Sequence, residues 1–283
     1  MRIDSHQHFW KYDPTRQEWI DSTMASIKHD FLPENLIPEL NLHQVDGSVV
    51  VQAEESLRET AWLLDICSEE EKIKGVVGWA NLSSDDLDKD LDQFSASKKL
   101  KGYREVLQSK SKEYFLNPEF IRGLSKIGKR GYTYDLLIFS SQLEEAIELI
   151  KKSPEQPIVI DHLAKPKIKL GTWREWKKQM SLLSEREYIY CKLSGMITEA
   201  DWKNWKAEDL SPYLEICLEL FGPNRLMFGS DWPVCLLAGT YSQVTQVIQD
   251  FLSPLSADEK ESIWGKTACD FYNLSPKQHE SKS

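Results

Sequence analysis

Short apolar runs, each bounded by turn or polar residues, recur eight times along the chain. They cover 2–5, 48–53 (SVVVQA), 76–80 (VVGWA), 101–106 (KGYREV), 132–138 (YTYDLLI), 157–161 (PIVID), 188–193 (YIYCKL) and 225–229 (RLMFG). Several are continuously apolar and not alternating, as strands buried on both faces should be. Between most of them lie stretches with apolar residues at helical spacing. SLRETAWLLDICSEEEK opens on Ser56, a good N-cap. SSQLEEAIELIKKS places Leu143, Ala146, Ile147 and Ile150 on one stripe, and LSPYLEICLELFG stops at Gly222. About eight alternations of strand and helix predict one α/β domain, a (β/α)8 TIM barrel over 1–275, followed by a loose tail at 276–283. The runner-up, an open doubly wound sheet, usually carries a Gly-rich turn after an early strand; SHQHFW has no glycine.

A barrel places its chemistry at the C-terminal ends of the strands, so reactive side chains should gather there. The first run ends in His6 and His8, whose side chains share a face because they lie two apart on a strand. Such a pair can hold one metal ion or one small anion. The second run ends in Gln52 and Glu54. The fourth carries Arg104, followed by Gln108. The sixth ends in Asp161 and His162, then Lys165. The seventh carries Lys192 and Ser194, and the eighth runs into GSDWP with Ser230 and Asp231. Three of six histidines thus sit at strand ends; His29, His43 and His279 receive no role.

Each residue has a plainer reading. Asp231 before Trp-Pro fits a turn, Asp161 can orient its neighbour, Arg104 can pair with Glu54, and Lys192 can face the barrel or lean out between helices. The chemical reading gains weight because the set falls on the ends of five strands together.

Composition narrows the classes. Of 283 residues 41% are hydrophobic and 28% charged, as in a soluble globular protein, and 35 Lys plus Arg against 45 Asp plus Glu give −10. An acidic chain without a basic cluster argues against nucleic acid or anionic membrane as partner. No apolar run approaches the roughly 20 residues of a membrane span. Asp4, His6 and His8 interrupt any signal-peptide core, and five irregularly spaced cysteines with no C-x-x-C read as reduced core fillers, so a cytoplasmic protein is expected. The sequence leaves a homo-oligomer open.

The stretches IDSHQHFW, VQAEESLRETAWLLDIC, LKGYREVLQ, YDLLI, IVIDHLAKP, CKLSG and RLMFGSDWPV together resemble the amidohydrolase superfamily. They resemble in particular its amidohydrolase-related branch of sugar-lactone hydrolases of the L-fuconolactonase and L-rhamnonolactonase type. The resemblance spans nearly the whole chain. It implies a distorted TIM barrel, hydrolysis of a lactone, and one divalent ion, zinc, held by His6, His8 and Asp231 with His162; because Arg104, Lys165 and Lys192 are the only basic candidates at strand ends, a neutral sugar lactone is expected rather than a dicarboxylate. Metal-free catalysis, with the histidines as oxyanion donors, is the alternative. Asp231 and His162 are the implied catalytic pair. Arg104, Glu54, Lys192, Trp10 and Trp232 are the expected substrate contacts, the two tryptophans having barrel-mouth packing as an equal alternative. Arg104 and Glu105 stand where binuclear members offer a bridging Lys or Glu, and Asp135 where another histidine would fall, which argues against two metals. A metal-dependent decarboxylase of the same superfamily is the rival activity.

Overall fold

The computed structural model describes residues 1–274; the tail expected at 276–283 lies outside the described residues. Eight strands form one parallel sheet in sequence order: β1 (Ile3–Gln7), β2 (Gly47–Val51), β3 (Ile73–Gly78), β4 (Leu100–Val106), β5 (Thr133–Leu137), β6 (Ile158–Ile160), β7 (Ile189–Leu193) and β8 (Leu226–Phe228). The seven ladders are all parallel. β8 meets β1 to close the barrel with few bonds: Ser5 Oγ donates to Phe228 O at 2.6 Å, Asp231 N to His6 O at 2.8 Å and His8 N to Trp232 O at 2.7 Å. This is the distorted (β/α)8 barrel expected from the alternation.

All eight expected strands are present, and β1 runs further than expected. His6 lies within β1, because a polar residue facing a barrel interior reads in sequence like a strand end. A register shift between Asp4 and Gln7 inserts one residue against β2. That bulge turns His6 inward although Ile3, three positions earlier, also faces the interior.

The barrel interior is layered. At the bottom Ile3, Val49, Val51, Val77, Val159 and Met227 form a small apolar cluster with Ala268, Phe271, Tyr272 and Leu274 of the C-terminal segment. That segment plugs the N-terminal end: Lys101 Nζ, at the start of β4, donates to Asn273 O at 3.0 Å. A fully buried Val contributes roughly 1.5 kcal/mol or more, so the plug removes a solvent-filled bore at little structural expense. The larger core lies outside, between strands and helices. The helix Leu57–Ile66 is capped as expected by Ser56, whose Oγ accepts from Glu59 N at 3.1 Å. The helix Leu143–Lys152 buries Leu143, Ala146, Ile147 and Ile150, and the helix Ala207–Phe221 ends at Gly222 with φ +65°.

Candidate active site

Above the plug the interior turns polar, and at the mouth four side chains converge. His6 Nε2 lies 3.1 Å from His8 Nε2. Asp231 Oδ1 lies 3.9 Å from His6 Nε2, 3.5 Å from His8 Nε2 and 3.8 Å from His162 Nε2. Asp231 adopts φ +57°, a left-handed conformation that Asp tolerates better than most residues. Below it Asp4 accepts from Ser230 N (2.8 Å), Ser230 Oγ (2.6 Å) and Tyr241 OH (3.2 Å), so the segment carrying Asp231 is tied to β1.

His162 is placed by strain. His162, Leu163, Ala164 and Lys165 all have positive φ (53°, 54°, 56° and 47°), a full left-handed turn after β6 closed by Lys165 N donating to His162 O at 2.7 Å. Such a turn costs about 1–2 kcal/mol per residue, and its persistence at a site of convergent polar groups is what functional strain looks like. Two neighbours hold the ring. Ser194 Oγ lies 2.9 Å from His162 Nδ1, and Gly195, itself at φ +62°, leaves room where a Cβ would come within 2.5 Å of that nitrogen.

Beneath the mouth lies a second, buried cluster. Lys192 Nζ is 2.5 Å from Asp135 Oδ2, 3.0 Å from Asp161 Oδ1 and 3.1 Å from His6 Nδ1. Arg104 Nη1 donates to Asp161 Oδ2 at 3.0 Å, and its Nη2 donates to Gln52 O. Tyr272 OH, from the plug, donates to Asp135 at 2.9 Å.

Electrostatics separate the roles. Burial, though opposed by Asp231 and Asp161, lowers His162 to about 4, and burial keeps His6 far below its usual value, so both imidazoles are neutral near pH 7. Burial works to raise Asp231, but His162, His8 and His6 around it prevail and hold it well below the usual carboxylate range. Asp231 is therefore an anion. Burial pushes Asp4 up to about 6. His8 Nδ1 faces Val51 O at 2.7 Å. A carbonyl only accepts, so His8 carries a proton on Nδ1 and turns Nε2 toward the site. Its geometry is that of a ring oriented by a backbone carbonyl.

The structure thus brings together His6, His8, His162, Asp231 and Arg104. Lys192 is reassigned: fully buried, with its ammonium among Asp135, Asp161 and His6, it has no reach to a substrate. Trp232 is also buried, its ring against Phe9 and Phe31, which is the packing alternative. Trp10 packs on Trp19 and Phe31 and donates Nε1–H to His29 O at 2.9 Å. Its ring and Glu54 nevertheless line a cavity of about 210 Å³ with Gln17, Glu59 and Trp62. Glu54 is paired with Arg58 there. Sequence reasoning missed Tyr272, which reaches Asp135 from the chain's far end, and gave Asp161 no more than an orienting part. An Asp beside a histidine at a strand end was the one available signal for Asp161.

The donor set fits one divalent ion. Zinc at about 2.0–2.1 Å from N and O donors in a tetrahedron has donors about 3.3–3.4 Å apart; the His6, His8 and Asp231 atoms stand 3.1, 3.5 and 3.9 Å apart. A second triplet, His6, Asp161 and His162, is also close together. Both Asp161 oxygens, however, already face the cations of Lys192 and Arg104, which disfavours a second ion there.

Eight parallel strands with a histidine–aspartate cluster at their C-terminal ends define a TIM-barrel protein with its candidate active site at the barrel mouth. The family model described as Amidohydrolase matches residues 3–274, and the chain belongs to that family. It is 36% identical to an L-fucono-1,5-lactonase of Burkholderia multivorans, over 97% of this chain and 96% of that protein. It is 33% identical to an L-fucono-1,5-lactonase of Burkholderia ambifaria, again over 97% and 96%. A crystal structure of an amidohydrolase from Burkholderia multivorans with bound zinc superposes with a TM-score of 0.94 at 36% identity, covering 97% of this chain and 100% of that one.

Proposed function

We propose that this chain is a lactonase that opens a neutral sugar lactone to the aldonic acid. The observation that carries the reading is the convergence of His6, His8, His162 and Asp231 on one point beside Arg104, in a chain alignable end to end with L-fucono-1,5-lactonases. Water adds to the lactone carbonyl, the ring C–O bond breaks, the ring oxygen gains a proton, and a hydroxy acid leaves as its carboxylate. Asp231, anionic and a few ångströms from three imidazoles, accepts the proton from water. His162 lies alongside to carry a proton toward the leaving oxygen. Arg104 Nε has no hydrogen-bond partner among the described residues, which leaves a donor for the substrate carbonyl or the product carboxylate. Of the strand-end cations, Lys192 is committed below and Lys165 is paired with Glu199, which leaves Arg104 and favours a neutral lactone over a dicarboxylate. Trp10 and Glu54 line the cavity best suited to the sugar's ring and hydroxyls.

His6, His8 and Asp231, with His162 adjacent, would hold one divalent ion, zinc by the donor set; the spacing of their donor atoms supports this. Such an ion supplies Lewis acidity to polarise the carbonyl. The five cysteines are unpaired and no described helix is long and apolar enough to cross a membrane, which supports a reducing, cytoplasmic setting.

The test is a pH-indicator assay over fucono-, rhamnono- and galactonolactones, before and after chelation, beside a carbon dioxide assay on aromatic acids. Acid release from a sugar lactone that falls on chelation supports the reading with its metal. Carbon dioxide release and no lactone turnover would replace it with the decarboxylase.

A further inference from the structure

A buried glutamate outside the histidine cluster is used in an unusual way. Ser56 and Glu59 are the N-cap and third residue of the helix Leu57–Ile66, the spacing of a capping box, and Ser56 Oγ accepts from Glu59 N at 3.1 Å. In a closed box the glutamate carboxylate would take the Ser56 amide. Here Ser56 N donates to Glu54 O at 2.9 Å instead. The Glu59 carboxyl reaches past it to the loop after β2, where Ala53 N and Glu54 N both donate to Oε2, at 3.0 and 2.8 Å. Glu59 is buried there.

That loop is pinned from two other sides. Gln52 O accepts from Arg104 Nη2, and Ala53 O accepts from Trp19 Nε1 at 3.2 Å. Two consecutive amides converging on one oxygen add the third hold and fix how the chain leaves the strand. The segment so fixed is a wall of the 210 Å³ cavity lined by Trp10, Gln17, Glu54, Glu59 and Trp62. The cavity walls leave the barrel two residues after His8, at Trp10, and two after Gln52, at Glu54. Indole faces suit the apolar side of a sugar ring, and a carboxylate accepts from its hydroxyls. Arg58 holds Glu54 by Oε1, and the second oxygen is the acceptor a ring hydroxyl needs.

We propose that Glu59 sets the affinity for the sugar through Glu54: by fixing the Ala53 and Glu54 amides it holds the Glu54 carboxylate in the cavity wall, where that carboxylate accepts from a ring hydroxyl of the bound lactone. Glu59 is a positioning residue, and Glu54 is the one that touches the sugar. This deepens the reading of the chain as a sugar lactonase and rests on it.

The test measures kcat and KM of the whole chain on the best of the three sugar lactones, with thermal unfolding of every variant. Glu54→Gln and Glu59→Leu should each raise KM about tenfold or more and leave kcat within about threefold, as the loss of binding shared by ground and transition states does. Glu59→Gln keeps an oxygen for both amides. Burial pushes the Glu59 carboxyl up to about 8, so an uncharged amide of the same shape replaces it closely, and KM should stay within about threefold of the wild type. The double variant Glu54→Gln/Glu59→Leu should match the worse single variant, because Glu59 acts through Glu54. Multiplied effects, or a folded Glu59→Leu with the wild-type KM, overturn the proposal. If Glu59→Leu does not fold, Glu59→Asp, one methylene shorter, withdraws the oxygen and carries the same expectation. A Glu54→Gln variant with the wild-type KM overturns the proposal in either case. A wild type that turns over no sugar lactone sinks the lactonase reading and this proposal with it; lactone turnover with KM unmoved at both positions sinks this proposal alone.

Discussion

The barrel mouth and the layer beneath it are built from the same chemistry with opposite outcomes. Below, Asp135 and Asp161 bracket the Lys192 ammonium, Tyr272 donates to Asp135 and Arg104 to Asp161, and Lys192, Asp135 and Asp161 have no exposed surface. Above, Asp231 faces three imidazoles at 3.5–3.9 Å, and His8, His162 and Arg104 each keep a trace of exposure. The lower charges are nearly saturated by one another and can only hold positions. The upper ones converge on a point none of them fills. A carboxylate's role here follows from how far its partners satisfy it, and residue type alone does not reveal it.

The contrast can be broken from below. Lys192→Met leaves two buried carboxylates without their shared cation and should cost about 3–5 kcal/mol in denaturant unfolding; a loss under about 1 kcal/mol would mean the lower cluster is not structural. The upper layer should register in stability through pH. Unfolded, His162 takes up its proton near 6.5; folded, not until about 4. Its contribution is therefore complete above about 6.5 and lost as pH falls toward 4. In metal-free protein the stability of the wild type relative to His162→Gln should fall by about 3 kcal/mol across that window, and a flat difference would show that His162 is not held neutral by burial. Gly195→Ala pushes a methyl into the His162 ring and should lower kcat about 10²-fold with KM changed far less; normal kinetics would remove His162 from the reaction. The smallest effect belongs to Tyr272→Phe, which takes one donor from Asp135. It should cost about 1–2 kcal/mol of stability and leave kcat within twofold. A large fall in kcat would join the two layers functionally.

Much of the barrel was legible because parallel strands buried on both faces read as unbroken apolar runs, and β2 (GSVVV) is the clearest case. The mouth was legible because His6, His8, His162 and Asp231 fall near strand ends. Legibility ended where a role depends on tertiary partners. Lys192 between Cys191 and Leu193 looks like a substrate-binding lysine until two acids from β5 and the end of β6 are seen to enclose it. Trp232 beside Asp231 looks like a sugar platform until Phe9 and Phe31 are found against its ring. Gly195 is one more turn glycine in sequence, and the His162 ring gives it meaning. Tyr272 has no signal at all, since only closure of the barrel bottom brings it to Asp135.

The central claim is that Asp231, at the meeting point of the three histidines, activates water against a sugar lactone. Its most direct test is the turnover of the best lactone substrate by the wild type and by Asp231→Asn, with thermal unfolding of both. The account predicts that kcat falls about 10³-fold or more while the fold is kept. A variant that folds and retains kcat within tenfold of the wild type would contradict it.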